Sequence, residues 1–128
     1  MSLLNLIEAE AVDALVPLRV GRRWRVVCPL ERLTPARGVA ARVAGTQVAV
    51  FLLPSGELLA IDDLDPFSGA SVLSRGLVGD VSGEPTVASP VYKQRFLLRT
   101  GRCIEDPSVS VVTWPVRIRG GRVEVAVP

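Results

Sequence analysis

Asp62, Asp63 and Asp65 crowd one short stretch, directly after an apolar run and just before Pro66. Acids this close suit a general acid/base pair or a magnesium site, since hard cations take carboxylate oxygens. They suit equally a Pro- and Gly-flanked loop whose Asp side chains accept hydrogen bonds from nearby backbone N–H groups. The chain contains no histidine. Ser-His-Asp and Cys-His catalysis are thereby excluded within it, and so are histidine-held zinc and non-haem iron. "GLVGDVSGEP", residues 76–85, is rich in glycine but lacks the lysine of a phosphate-binding loop and opens no helix. Its glycines read as hairpin bends.

The two cysteines, Cys28 and Cys103, have no CxxC or CxH neighbourhood, which leaves neither a metal knuckle nor a redox pair. Both sit among apolar residues and are expected as buried, reduced thiols, which fits a cytoplasmic home. Two further stretches have the shape of loops built to hold a ligand: "DPFSGASVL" (65–73) and "ASPVYKQRF" (88–96). Neither carries a thiol or an imidazole.

What positions these loops is a β scaffold. At 128 residues the chain is in single-domain range and can bury a sizeable core. Hydrophobic residues make up 48% and aromatics 5%, so the core must be built from Val, Leu, Ile and Ala, a composition that favours strands. The runs "WRVVC" (24–28), "VAARV" (39–43), "TQVAVFLL" (46–53), "ELLAID" (57–62), "LVGDV" (77–81), "PTVAS" (85–89), "RFLLRT" (95–100), "VVTWPVRIR" (111–119) and "RVEVAV" (122–127) are predicted strands. Gly and Pro turns punctuate them, and no later segment holds a helical period. Short strands at this spacing predict an all-β fold, an antiparallel sandwich or small barrel.

The formal charge of +2 is spread along the chain, almost all of the positive residues being arginine. At "GRRWR" (21–25) and "RIRGGR" (117–122) basic and apolar residues alternate, as on the solvated face of a strand. Nucleic acid is not an expected partner. The opening residues 1–20 carry Glu8, Glu10 and Asp13 inside their apolar stretch, which argues against a signal peptide. Leu3, Leu4, Ile7, Ala11 and Leu15 recur at three- and four-residue steps, suggesting a short amphipathic helix or an ordered arm before one β domain at 21–128. No segment is apolar and long enough for a membrane-spanning helix.

The strand order, "DPFSGA", "GLVGDVSGEPTVASP" and "SPVYKQRFLLRTGRC" together resemble a Rieske-type domain from about Trp24 to Val127. In that family the loops read Cys-Pro-His-x-Gly and Cys-Pro-x-His-Gly. The resemblance places Asp65 and Phe67 where the first cysteine and histidine would stand, and Ser89 and Tyr92 at the second pair. Pro66, Gly69, Pro90, Phe96 and Gly101 keep the family's frame. A Rieske centre holds one iron by two thiolates and the other by two imidazoles. With all four donors replaced, the resemblance implies a Rieske-like antiparallel β-sandwich that binds no [2Fe–2S] cluster and has no catalytic, cofactor or metal residues of its own.

Within this superfamily the chain is similar to the small subunits of cytoplasmic NAD(P)H-dependent nitrite reductases, through "VCPLERL", "QVAVFLL", "LAIDDLDPFSGASVLSRGLVGD", "EPTVASPVYKQRFLLRTGRC" and "WPVRIRGGRVEV". The similarity implies a role beside a large subunit that carries FAD, a [4Fe–4S] cluster and sirohaem and reduces nitrite to ammonium. The alternative is a cluster-free interaction module of another oxidoreductase or oxygenase system. Two fates follow for the aromatic residues at the former ligand positions. Phe67 and Tyr92 pack together or against apolar neighbours and so hold the empty loops closed, or they stand at the loop tips with Lys93, Gln94 and Arg95 as a docking surface.

Overall fold

The computed structural model describes residues 22–128 in full and the backbone of residues 7, 8 and 10–15. Among the described residues twelve strands run in chain order: β1 (Ile7–Glu8), β2 (Glu10–Leu15), β3 (Arg23–Pro29), β4 (Gly38–Val43), β5 (Thr46–Leu52), β6 (Leu58–Asp62), β7 (Leu77–Val81), β8 (Glu84–Ala88), β9 (Arg95–Leu97), β10 (Thr113–Trp114), β11 (Val116–Arg119) and β12 (Arg122–Val127). They form three sheets, ordered β1-β4-β5-β6-β10, β11-β12-β3-β2 and β7-β8-β9. Apart from the parallel β1–β4 pair, every ladder is antiparallel. The expected all-β architecture is what the residues form, and no helix among those described is long and apolar enough to cross a membrane.

The periodicity near the amino terminus misleads. Ile7 lies in β1, and Ala11 and Leu15 in β2, which pairs with β3, so of the two expectations, short helix or ordered arm, the described residues form strand rather than helix. Leu3 and Leu4 lie outside the described residues. The run 111–119 is not one strand either. Pro115 has no N–H to give a ladder and divides it into β10, which pairs with β6 in the first sheet, and β11, which pairs with β12 in the second.

Side chains alternate across a strand, and β5 uses both faces. Val48 and Val50 join Val27, Val43, Val123, Val125 and Val127 in one core between the first two sheets. Ala49 and Phe51 point the other way, into a second core with Ile61, Leu73, Val87, Phe96, Leu98 and Cys103. This is why "VAVF", residues 48–51, reads as a continuous apolar run. Cys28 belongs to the first core and Cys103 to the second, both free and buried. Burial pushes the Cys28 thiol up, against a smaller opposing pull from Arg32.

The second core seats the three-stranded sheet and the loops that flank it. Gly101 turns the chain after β9 at φ +82°, and a Cβ there would run into the Val111 carbonyl, so glycine is required twice over. Its N–H donates to Leu97 O at 2.7 Å, ending β9 three residues earlier than the apolar run suggests.

Candidate functional site

Two loops stand side by side over the second core, one between β6 and β7, the other between β8 and β9. They are built to one plan. In the first, Asp65 N–H donates to Ala70 O (2.8 Å) and Gly69 N–H donates back to Asp65 O (2.8 Å). In the second, Ser89 N–H donates to Gln94 O (2.8 Å) and Lys93 N–H to Ser89 O (3.1 Å). Each leading side chain then accepts from the N–H two residues on: Phe67 N–H to Asp65 Oδ1 at 2.9 Å, Val91 N–H to Ser89 Oγ at 3.2 Å. Asx and Ser/Thr turns of this kind need a short oxygen-bearing side chain, which is what Asp and Ser supply. At the fifth position of each plan the backbone is left-handed, φ +76° at Gly69 and +69° at Lys93.

The leading residues tie the loops together. Ser89 Oγ donates to Asp65 Oδ2 at 2.5 Å, and Ser68 Oγ donates to the same oxygen at 3.0 Å. Asp65 and Ser89 are both fully buried. Burial pushes the Asp65 carboxyl up, but hydrogen bonds from Ser89, from the Phe67 N–H and from Ser68 together outweigh it and hold the group below its ordinary value. Asp65 is thus an ionised, saturated acceptor at neutral pH.

The neighbouring acids do separate work. Asp63 Oδ1 accepts from Ser74 N–H (2.6 Å) and Oδ2 from Gln47 Nε2 (2.7 Å), pinning the first loop to β5. Asp62 Oδ1 accepts from Trp114 Nε1 (2.8 Å). The three carboxylates face three different sets of partners, and among the described residues no group of acids, cysteines or histidines is placed to hold a metal. The loop-forming reading of these acids is the one the geometry supports, though only Asp65 caps locally.

The two aromatics part company. Phe67 is half-buried, its ring tilted 44° on Phe96 at 6.1 Å between centroids, while Tyr92 is 61% exposed. They do not close over each other, so packing describes Phe67 and exposure describes Tyr92. Arg95 is drawn away from the tip by Glu105, which accepts from its Nε (2.6 Å) and its N–H (2.7 Å). Lys93 is exposed and donates to Pro90 O within its own loop (3.2 Å). Ser68, Gln47 and Ser74 escaped sequence reading because only proximity in space shows what their polar groups meet. A Ser three residues after a buried Asp was the one available hint.

A [2Fe–2S] cluster of Rieske type requires thiolate and imidazole donors. The four positions hold a carboxylate, a phenyl ring, a hydroxyl and a phenol, and the first and third are bonded to each other. The residues present do not fit that group.

A family model described as "Rieske-like [2Fe-2S] domain" matches residues 23–126. The nitrite reductase (NADH) small subunit of Salmonella typhimurium is 43% identical over 104 residues, covering 80% of this chain and 96% of that protein. The chain belongs to the Rieske-like family of nitrite reductase small subunits. A crystal structure assigned to the NADH-dependent nitrite reductase small subunit of Mycobacterium tuberculosis superposes on this Rieske-like domain with TM-score 0.81 at 45% identity, covering 84% of this chain and 96% of that one. The domain also matches a Klebsiella oxytoca protein named nitrite reductase [NAD(P)H] large subunit, 42% identical over 109 residues. It spans 85% of this chain but only 11% of that protein's length.

Proposed function

We propose that this chain is the non-catalytic small subunit of a cytoplasmic NAD(P)H-dependent nitrite reductase, steadying a large subunit that holds FAD, a [4Fe–4S] cluster and sirohaem. It holds no [2Fe–2S] cluster itself. The observation carrying this reading is the Ser89–Asp65 hydrogen bond, which joins the loops at the point where a Rieske domain would use two thiolate ligands. Support for the partner comes from the Klebsiella large subunit, in which a domain of this kind is covalently part of the longer chain. The two buried free cysteines suit a reducing compartment.

The test is reconstitution. Large subunit from the same genome, purified alone, is assayed for NADH- and NADPH-driven nitrite reduction with and without this chain. Added chain is expected to raise or prolong turnover while showing none alone, and to contain neither iron nor acid-labile sulfide. Stoichiometric iron and sulfide in the pure chain, or nitrite turnover by it unaided, would sink the reading.

A further inference from the structure

Resting on the small-subunit reading above, we infer that the second loop's tip, Val91-Tyr92-Lys93, is the surface that docks the large subunit, with Lys93 seated against a carboxylate on an apolar-rimmed patch of that partner. The carrying observation is the mismatch between two loops of one design. The fifth position of each plan is left-handed, a conformation that costs a side chain and suits glycine. The first loop has Gly69 there, and a Cβ added to it would meet nothing within 4 Å, so backbone strain alone selects against a side chain. The second loop accepts that strain at φ +69° in order to carry a lysine. Ala36, Ala44 and Ser82 are left-handed as well, so what singles out Lys93 is the glycine that stands at the same position of the matching loop.

What surrounds Lys93 agrees. It is the chain's single lysine, against fourteen arginines, and it directly follows the chain's single tyrosine. Tyr92 is also the one aromatic residue exposed among those described: Trp24, Phe51 and Phe96 are buried, and Phe67 and Trp114 half-buried. Val91 beside it is 44% exposed. An aromatic and an aliphatic side chain held out at a loop tip by a rigid base are the kind of anchor that fills a pocket on a partner. No carboxylate pairs with Lys93 among the described residues, in contrast to Arg95, Arg99 and Arg117, which all have acidic partners. A carboxylate on the partner is the group that would complement this ammonium. The large subunit is the occupant inferred because the Klebsiella relative carries a domain of this kind within its own chain, which keeps the two at high effective concentration.

The experiment measures binding of purified large subunit to the full chain by calorimetry at two salt concentrations, alongside melting of each variant. Tyr92→Ala and Lys93→Glu are expected to weaken binding about tenfold or more without lowering the melting temperature, since both side chains are exposed and Lys93 makes only a solvent-exposed bond to Pro90 O. Lys93→Gly is expected to bind several-fold more weakly yet melt about 2–4 °C higher. Ile118→Ser, at an exposed residue on the β11–β12 hairpin, serves as the control and should bind as wild type. Binding of wild type should weaken with salt, and Lys93→Glu should flatten that dependence. If wild type binds and the tip variants bind equally well, or if Ile118→Ser loses binding instead, the docking assignment is overturned while the small-subunit reading stands. If wild type fails to bind, that reading falls and this inference with it.

Discussion

Both loops spend the same backbone hydrogen bonds on the same plan, yet one turns its aromatic residue inward and the other outward. The first loop has a charged leader saturated by three donors, a glycine at its left-handed corner and a phenyl ring on Phe96. The second has a neutral leader, a lysine at that corner and a phenol in water. The difference teaches that holding a loop and displaying it are separable tasks. The buried leading pair does the holding, which frees the outer positions of the second loop.

Asp65→Ala should break the comparison most severely. It strands the buried Ser89 hydroxyl together with the half-buried Phe67 N–H and Ser68 hydroxyl, an expected loss of about 2–4 kcal/mol. Urea denaturation would read it directly, and a loss under ~1 kcal/mol would mean the leading pair does not hold the loops. The same carboxylate predicts a pH dependence. Its value in the folded protein lies below that of the unfolded chain, so its stabilisation is present above the unfolded value, about 3.9 for Asp, and is lost as pH falls through the lower folded one. Asp65→Asn should therefore be less stable at pH 7 and show a shallower loss of stability toward acid than wild type. An identical acid slope in both proteins would rule the carboxylate out as the cause.

Phe67→Ala comes next, with about 1–3 kcal/mol expected because the ring is only half-buried. A melting temperature equal to wild type would remove the packing role. Exchanging the corner residues sharpens the contrast further. Gly69→Lys should cost about 1 kcal/mol in backbone strain, and Lys93→Gly should return up to a similar amount. Equal and opposite shifts would confirm that the corners are equivalent. A loss with Lys93→Gly would instead credit the lysine's bond to Pro90 O with a structural role. Tyr92→Ala should stay within about 0.5 kcal/mol of wild type.

The strands were legible in the sequence because each is short, β-branched and bounded by Gly or Pro, and the two loops were legible because Pro and Gly recur in them at matching offsets. What stayed hidden depended on space rather than order. The pairing of Ser89 with Asp65 spans 24 positions, and no local pattern reveals which of the several serines reaches that carboxylate. Arg95 reads as a tip charge until the fold brings Glu105 beside it. At the amino terminus apolar residues at helical steps were outweighed by pairing offered by β3 and β4, a tertiary override of a weak local signal. At Pro115 the missing donor was visible, but its consequence, a change of sheet, was not.

Two neighbouring strands, β5 and β6, belong to both cores, β6 through Ala60 and Ile61. Because Val48 and Val50 face one and Ala49 and Phe51 the other, prising the three-stranded sheet off the body would flood the back of the very strand around which the body is assembled. The loop end and the sandwich should then share a single melting transition, and slow-exchanging amides of β5 should report on events at either end alike. A tip mounted on such a two-sided strand reaches its partner already rigid, with little ordering left to pay for on contact.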